Sequence, residues 1–209
     1  MDADTAQVAI FAVAMISSLV LHEFAHATTA FWLGDTTAAY QGRLTLNPLA
    51  HIDPFYSILL PIMLYLATGI PLGGAKPVPV NPQLIRRTSP SRGMMLIAAA
   101  GPLANFVLAI LALALLYLCS HLEWYKALPT LIIFYMVNIG LGIFNLLPIP
   151  PLDGSRVLNY FLSYRHSLVM AQIAPYGMFI LYFLIWTGVV NTVTKPLYLF
   201  FSNLIPFPS

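Results

Sequence analysis

LVLHEFAHATTA, residues 19–30, places His22, Glu23 and His26 inside a run that otherwise reads as lipid-facing helix. A charged or strongly polar side chain at the centre of a membrane span costs about 2.5–3.5 kcal/mol on insertion scales. Three such groups this close together therefore need a compensating partner. For a lone histidine, hydrogen bonding to a neighbouring helix is an adequate account. HEFAH as a unit points instead to a metal. Positions 22 and 26 are about one helical turn apart, so both imidazoles leave one face and can meet one ion. Glu23 projects beside them, where it can take a proton from an activated water.

The rest of the chain makes a membrane setting hard to avoid. Of 209 residues, 59% are hydrophobic and only 8% are charged, against about 25% charged in a soluble domain. A net charge of +2 gives no reason to expect nucleic acid as a partner, and a single cysteine, Cys119, excludes an internal disulfide. The N-terminal MDADTAQ is acidic where a secretory signal is basic, so residues 8–21 are expected to stay in the mature protein. The length suits one membrane-embedded domain, residues 1–209, without an appended soluble one.

Five apolar stretches follow: about 5–33, 55–70, 93–119, 128–147 and 169–190, with a tail at 191–209 expected to lie at the interface. A span needs about 20 residues. The stretch 55–70 is shorter, contains Pro61 and ends in GIPLGG, so it is a candidate re-entrant segment. Between the first two stretches, AAYQGRLTLN mixes β-branched, aromatic and small residues around a glycine and suggests a strand or hairpin. The fold class expected is an all-α polytopic membrane protein, with four to five membrane-inserted helices and a small β-hairpin or re-entrant element after the first. If all five stretches cross, Lys76, Arg86, Arg87, Arg92, Arg156 and Arg165 share one side, with Arg43, Lys126 and Lys195 opposite. A re-entrant 55–70 moves Arg43 to the majority, sharpens the bias and leaves the N-terminus outside.

Zinc needs a third protein ligand and an open position. Glu123, the other glutamate, sits in a short loop; residue 32, where an extended pattern would place a third histidine, is Trp32. His51, His121 and His166 lie in linkers, Asp2 and Asp4 are terminal, and Asp35 and Asp53 flank the expected hairpin. Asp153 remains, in NLLPIPPLDGSRVL, where Pro148, Pro150 and Pro151 must unwind the chain. Its plainer reading is a capping aspartate at a proline-rich helix exit; beside HEFAH the metal reading is the better one. Ligands must share one membrane level, which requires the first and fourth stretches to run parallel. A re-entrant 55–70 provides that.

HEFAH in a membrane helix, PLGGAKPV, AAAGPLANF at 98–106 and NLLPIPPLDG at 145–154, in that order, resemble the site-2 protease family of intramembrane zinc metalloproteases. The resemblance implies one zinc per chain bound by His22, His26 and Asp153, with Glu23 activating water. It implies that Asn145 helps to position substrate or a developing oxyanion. It further implies cleavage of the transmembrane segment of a membrane protein or peptide, in a prokaryotic cell membrane, with the active site toward the cytoplasm. The chain resembles a short, core-only member without the PDZ or CBS modules that many relatives carry, and no oligomeric state follows. Pattern and family likeness together suggest that residues 40–46 add as a strand to an unwound substrate. Asn105 falls near the active site by family position, although a buried asparagine bonding between helices serves as well; Asn138 and the small run Ala98–Gly101 read as packing. A catalytically inactive scaffold, or a metal-binding or transport protein using the same His/Asp cluster, is the alternative. The scaffold has no cause to keep Glu23 and all the ligands, and a transporter should show a continuous polar pathway.

Overall fold

The computed structural model of the chain describes residues 3–59, 62, 63, 66 and 74–206. Every regular element among them is helical. α1 (Ala3–Trp32) contains neither glycine nor proline and runs unbroken until Gly34, whose φ of 105° suits glycine alone. After the single turn α2 (Thr37–Tyr40) come α3 (Pro90–His121) and α4 (Leu128–Asn145). The chain ends in α5 (Asp153–Phe161), α6 (Tyr164–Ile173), α7 (Gly177–Trp186) and α8 (Val189–Ser202). Among the described residues four segments, Thr5–Trp32, Pro90–His121, Tyr125–Asn145 and Tyr164–Trp186, are long and apolar enough to cross a membrane. Their outward faces carry exposed apolar side chains such as Val13, Val107, Ile110 and Phe179, as lipid contact requires. The chain is an integral membrane protein.

α1, α3 and α4 form the bundle that carries the site. Ala109, Ala112, Leu116 and Cys119 of α3 pack on Leu128, Tyr135, Ile139 and Ile143 of α4. Only residues 122–127 join the two helices, so packing side by side they run antiparallel. On α1, His22 meets Asn105 and His26 meets Ile97, so α1 and α3 are antiparallel as well. Ser18 meets Asn138, and further along both chains His22 meets Asp153. α1 and α4 therefore run parallel. The segment between α1 and α3 leaves and returns at one end of the bundle, because the Arg86 and Arg87 N–H groups both donate to the Leu33 carbonyl. Whether 55–70 crosses concerns residues that lie largely outside the described ones.

Two expectations need correction. No strand or hairpin occurs among the described residues: α2 is followed by a turn at Gly42 and a 3-10 turn at Pro48–His51. The cause is Arg43. Its buried guanidinium donates to the carbonyls of Ala50, Lys76 and Pro77, so the backbone wraps around a charge instead of pairing with a neighbouring strand. Asp35, also buried, accepts from the Thr37 N–H and the Asn81 N–H and fixes the start and end of that wrap. The last span begins earlier than expected, at Tyr164, and stops before Gly188, whose positive φ turns the chain into α8. The tail is α8, a helix despite Pro196: the Tyr135 hydroxyl donates to the Phe201 carbonyl and the Tyr117 hydroxyl to that of Leu204, satisfying its open C-terminal end.

Candidate metal centre

His22 and His26 occupy successive turns near the end of α1, both buried. Each ring is held at Nδ1: His22 donates to Asn105 Oδ1 at 2.6 Å, His26 to the Ile97 carbonyl at 2.6 Å. With the proton on Nδ1, a neutral imidazole presents a lone pair at Nε2. The two Nε2 atoms lie 3.0 Å apart. Asp153, the first residue of α5, brings Oδ2 to 3.1 Å from His22 Nε2 and 3.2 Å from His26 Nε2.

With both histidines in that tautomer and Asp153 ionised, three acceptors converge, an arrangement that repels itself unless a cation lies between. The spacing suits one. Ligands about 2.0–2.1 Å from a tetrahedral zinc stand about 3.3–3.4 Å from one another, close to the separations here. Among the described residues His22, His26 and Asp153 are the group able to hold a metal ion. Two nitrogens and one carboxylate oxygen, with a side open to a cavity, match the donor set of a catalytic rather than a structural zinc.

Local structure explains how these atoms meet. A β-carbon on Gly101 of α3 would lie within contact distance of both Nε2 atoms, so α3 can press against the imidazoles only where a side chain is missing. Gly154 is similar: a β-carbon there would strike the Leu146 carbonyl, so the chain after α4 folds back tightly enough to aim Asp153 at α1. A helix starts there, with Asp153 in its first turn, where an anion faces favourable backbone N–H groups.

The cluster opens into a cavity of about 420 Å³, lined in part by Glu23, Asn145 and Arg156, and on one side by the extended segment from Gly74 to Val80. Glu23 makes no hydrogen bond to the described residues. Asn145 uses one amide N–H on the Leu141 carbonyl at 3.0 Å. His51 lies elsewhere, with Nε2 donating to the Thr45 carbonyl, and neither it nor Asp53 joins the cluster. Ser18, Asn105 and Asn138 are the residues whose part sequence reading undervalued; all three are fully buried and connected to His22. The available signal was their polarity within otherwise apolar helices.

The family model of Peptidase family M50 matches residues 120–188. Similar proteins cover far more of the chain. The Bacillus subtilis protein YwhC, provisionally named a zinc metalloprotease, is 36% identical over 192 residues, 88% of this chain and 84% of its own length. Rip2 of Mycolicibacterium smegmatis, with the same provisional name, is 33% identical over 84% of this chain and 66% of its own length. Rip2 of Mycobacterium tuberculosis is 36% identical over 80% of this chain and 62% of its own length. No solved structure matches.

Proposed function

The chain belongs to peptidase family M50, the site-2 proteases, and from that premise we propose that it is an intramembrane zinc endopeptidase whose ion is held by His22, His26 and Asp153. The observation that carries this reading is the meeting of two imidazole Nε2 atoms and a carboxylate oxygen within 3.0–3.2 Å, in the wall of a cavity. Zinc, when bound, supplies Lewis acidity to the scissile carbonyl. Glu23, adjacent in the cavity wall and without a hydrogen bond to described residues, accepts the proton of the attacking water. It then delivers that proton to the leaving amide nitrogen. Asn145 has a second amide N–H beyond the one given to Leu141, available to hold a substrate carbonyl oxygen.

The substrate is a transmembrane segment of another protein, locally unwound, since a helical amide is shielded by its own hydrogen bonds. The cluster lies toward the end of the bundle that carries Arg86, Arg87, Arg92 and Arg156, the end that charge bias assigns to the cytoplasm. Residues 40–46 are coiled and offer no strand to a substrate; the non-helical wall from Gly74 to Val80 lines the cavity in their place.

The experiment is cleavage of a reconstituted transmembrane substrate with zinc counted per chain. Glu23→Gln should keep zinc near one per chain and lose cleavage by at least about 10²-fold. Asp153→Ala should lose both. Cleavage by Glu23→Gln at the wild-type rate, or full zinc in Asp153→Ala, refutes the assignment.

A further inference from the structure

His22 donates from Nδ1 to a side-chain amide, and an amide has two ends of similar size but opposite hydrogen-bonding sense. Which end faces the imidazole depends on what the other end meets. Asn105 Nδ2 lies 2.9 Å from Asn138 Oδ1. Asn138 Nδ2 in turn lies 2.9 Å from the Phe134 carbonyl and 2.9 Å from Ser18 Oγ. A backbone carbonyl accepts and never donates. Phe134 therefore draws the NH2 end of Asn138 toward itself and turns Oδ1 of Asn138 to Asn105. That draws the NH2 end of Asn105 away from α1 and leaves its Oδ1 facing His22. The Ser18 carbonyl, 3.5 Å from Asn105 Nδ2, reinforces the same sense. Asn105, Asn138 and Ser18 are all 0% exposed, so no bulk water competes for these bonds.

We propose that Asn105 and Asn138 are positioning residues for the metal, passing the polarity of the Phe134 carbonyl to His22 so that its proton sits on Nδ1 and its Nε2 stays free to ligate. His26 reaches the same state in one step, through the Ile97 carbonyl. The relay spans α1, α3 and α4, so one hydrogen-bond chain both fastens the helices and selects the tautomer. The inference rests on reading His22, His26 and Asp153 as the ligands.

The test is zinc affinity of the purified full chain in detergent, by competition with a chromogenic chelator. Losing the outer hydrogen bond of a ligating histidine typically weakens metal binding about 10–100-fold. Asn105→Leu should fall in that range. Asn138→Leu, which touches no ligand, should weaken binding in the same direction by less. Asn105→Asp should remain within about threefold of wild type, because its oxygen still accepts from His22. A purely structural amide predicts the opposite order, since aspartate brings a charge into a dry site while leucine packs there. Wild-type affinity in Asn105→Leu, or in Asn138→Leu if the former does not fold, overturns the proposal. A wild type without zinc, or a His26→Ala variant that binds as tightly as wild type, instead locates the failure in the ligand reading, and the proposal falls with it.

Discussion

Gly101 has no side chain at the one place on α3 where two imidazoles arrive. The run from Ala98 to Gly101 read in sequence as a way of bringing helices together, and so it is, but at 101 the helix approaches the ligands themselves. Gly101→Ala adds a methyl group inside contact distance of both Nε2 atoms, an overpacking that costs about 1–3 kcal/mol. Zinc per chain, by elemental analysis, should fall well below the wild-type content, and full occupancy would sink the idea. At this scale much was legible. The helical period of HEFAH puts His22 and His26 on one face, and a chain so poor in carboxylates leaves few candidates for a third group, of which Asp153 is the one the structure brings beside them. Asn138 and Ser18 were not legible. Their partners lie 33 and 120 residues away in sequence, and no local pattern announces them. The general signal was that a polar side chain in an apolar helix requires a partner.

Among the elements, the segment after α1 departs most from its sequence signature. β-branched and aromatic residues between turn signals describe a strand only when the backbone has a strand to pair with. Here the buried Arg43 takes three backbone carbonyls from two separate pieces of chain, at Ala50 and at Lys76 and Pro77, and coiling results. Because the second piece continues into the cavity wall, Arg43 also braces the site from outside. Arg43→Met keeps the length of the side chain and removes the donors, leaving carbonyls that cost about 1–3 kcal/mol each where they stay buried and unpaired. The midpoint of thermal unfolding should drop, and limited proteolysis should cut between residues 43 and 80 sooner than in wild type. An unchanged midpoint and digest would show that the guanidinium is dispensable. The last helix likewise depends on distant partners: the tyrosine hydroxyls that receive its end come from α3 and α4.

For the whole molecule, the sequence argument that succeeded was one of direction. The demand for ligands at one depth required α1 and α4 to run parallel and the basic residues favoured it, and they do run parallel. The spans were recognisable because apolar length is a property of each segment alone; their junctions depend on contacts between segments. On the proposed ligand set, an ion held by His22 and His26 of α1 and by Asp153 of α5 would join two elements far apart in the chain. A ligand that binds only the folded state adds about 4 kcal/mol when its free concentration is 1,000 times its dissociation constant. Stripping wild type with a strong chelator should therefore lower its unfolding midpoint, and the same treatment should leave Asp153→Ala where it was. A wild-type midpoint indifferent to the chelator would count against a shared ion.

His22 and Asp153 stand 131 residues apart in the chain, so a ribosome makes them at different times. At about 5–20 residues per second, roughly 7–26 s separate them. During that interval the growing polypeptide holds both histidines and Glu23 in the bilayer but lacks the carboxylate that closes the cluster. On the proposed ligand set, a nascent copy cannot complete its metal cluster until residue 153 of 209 has been translated.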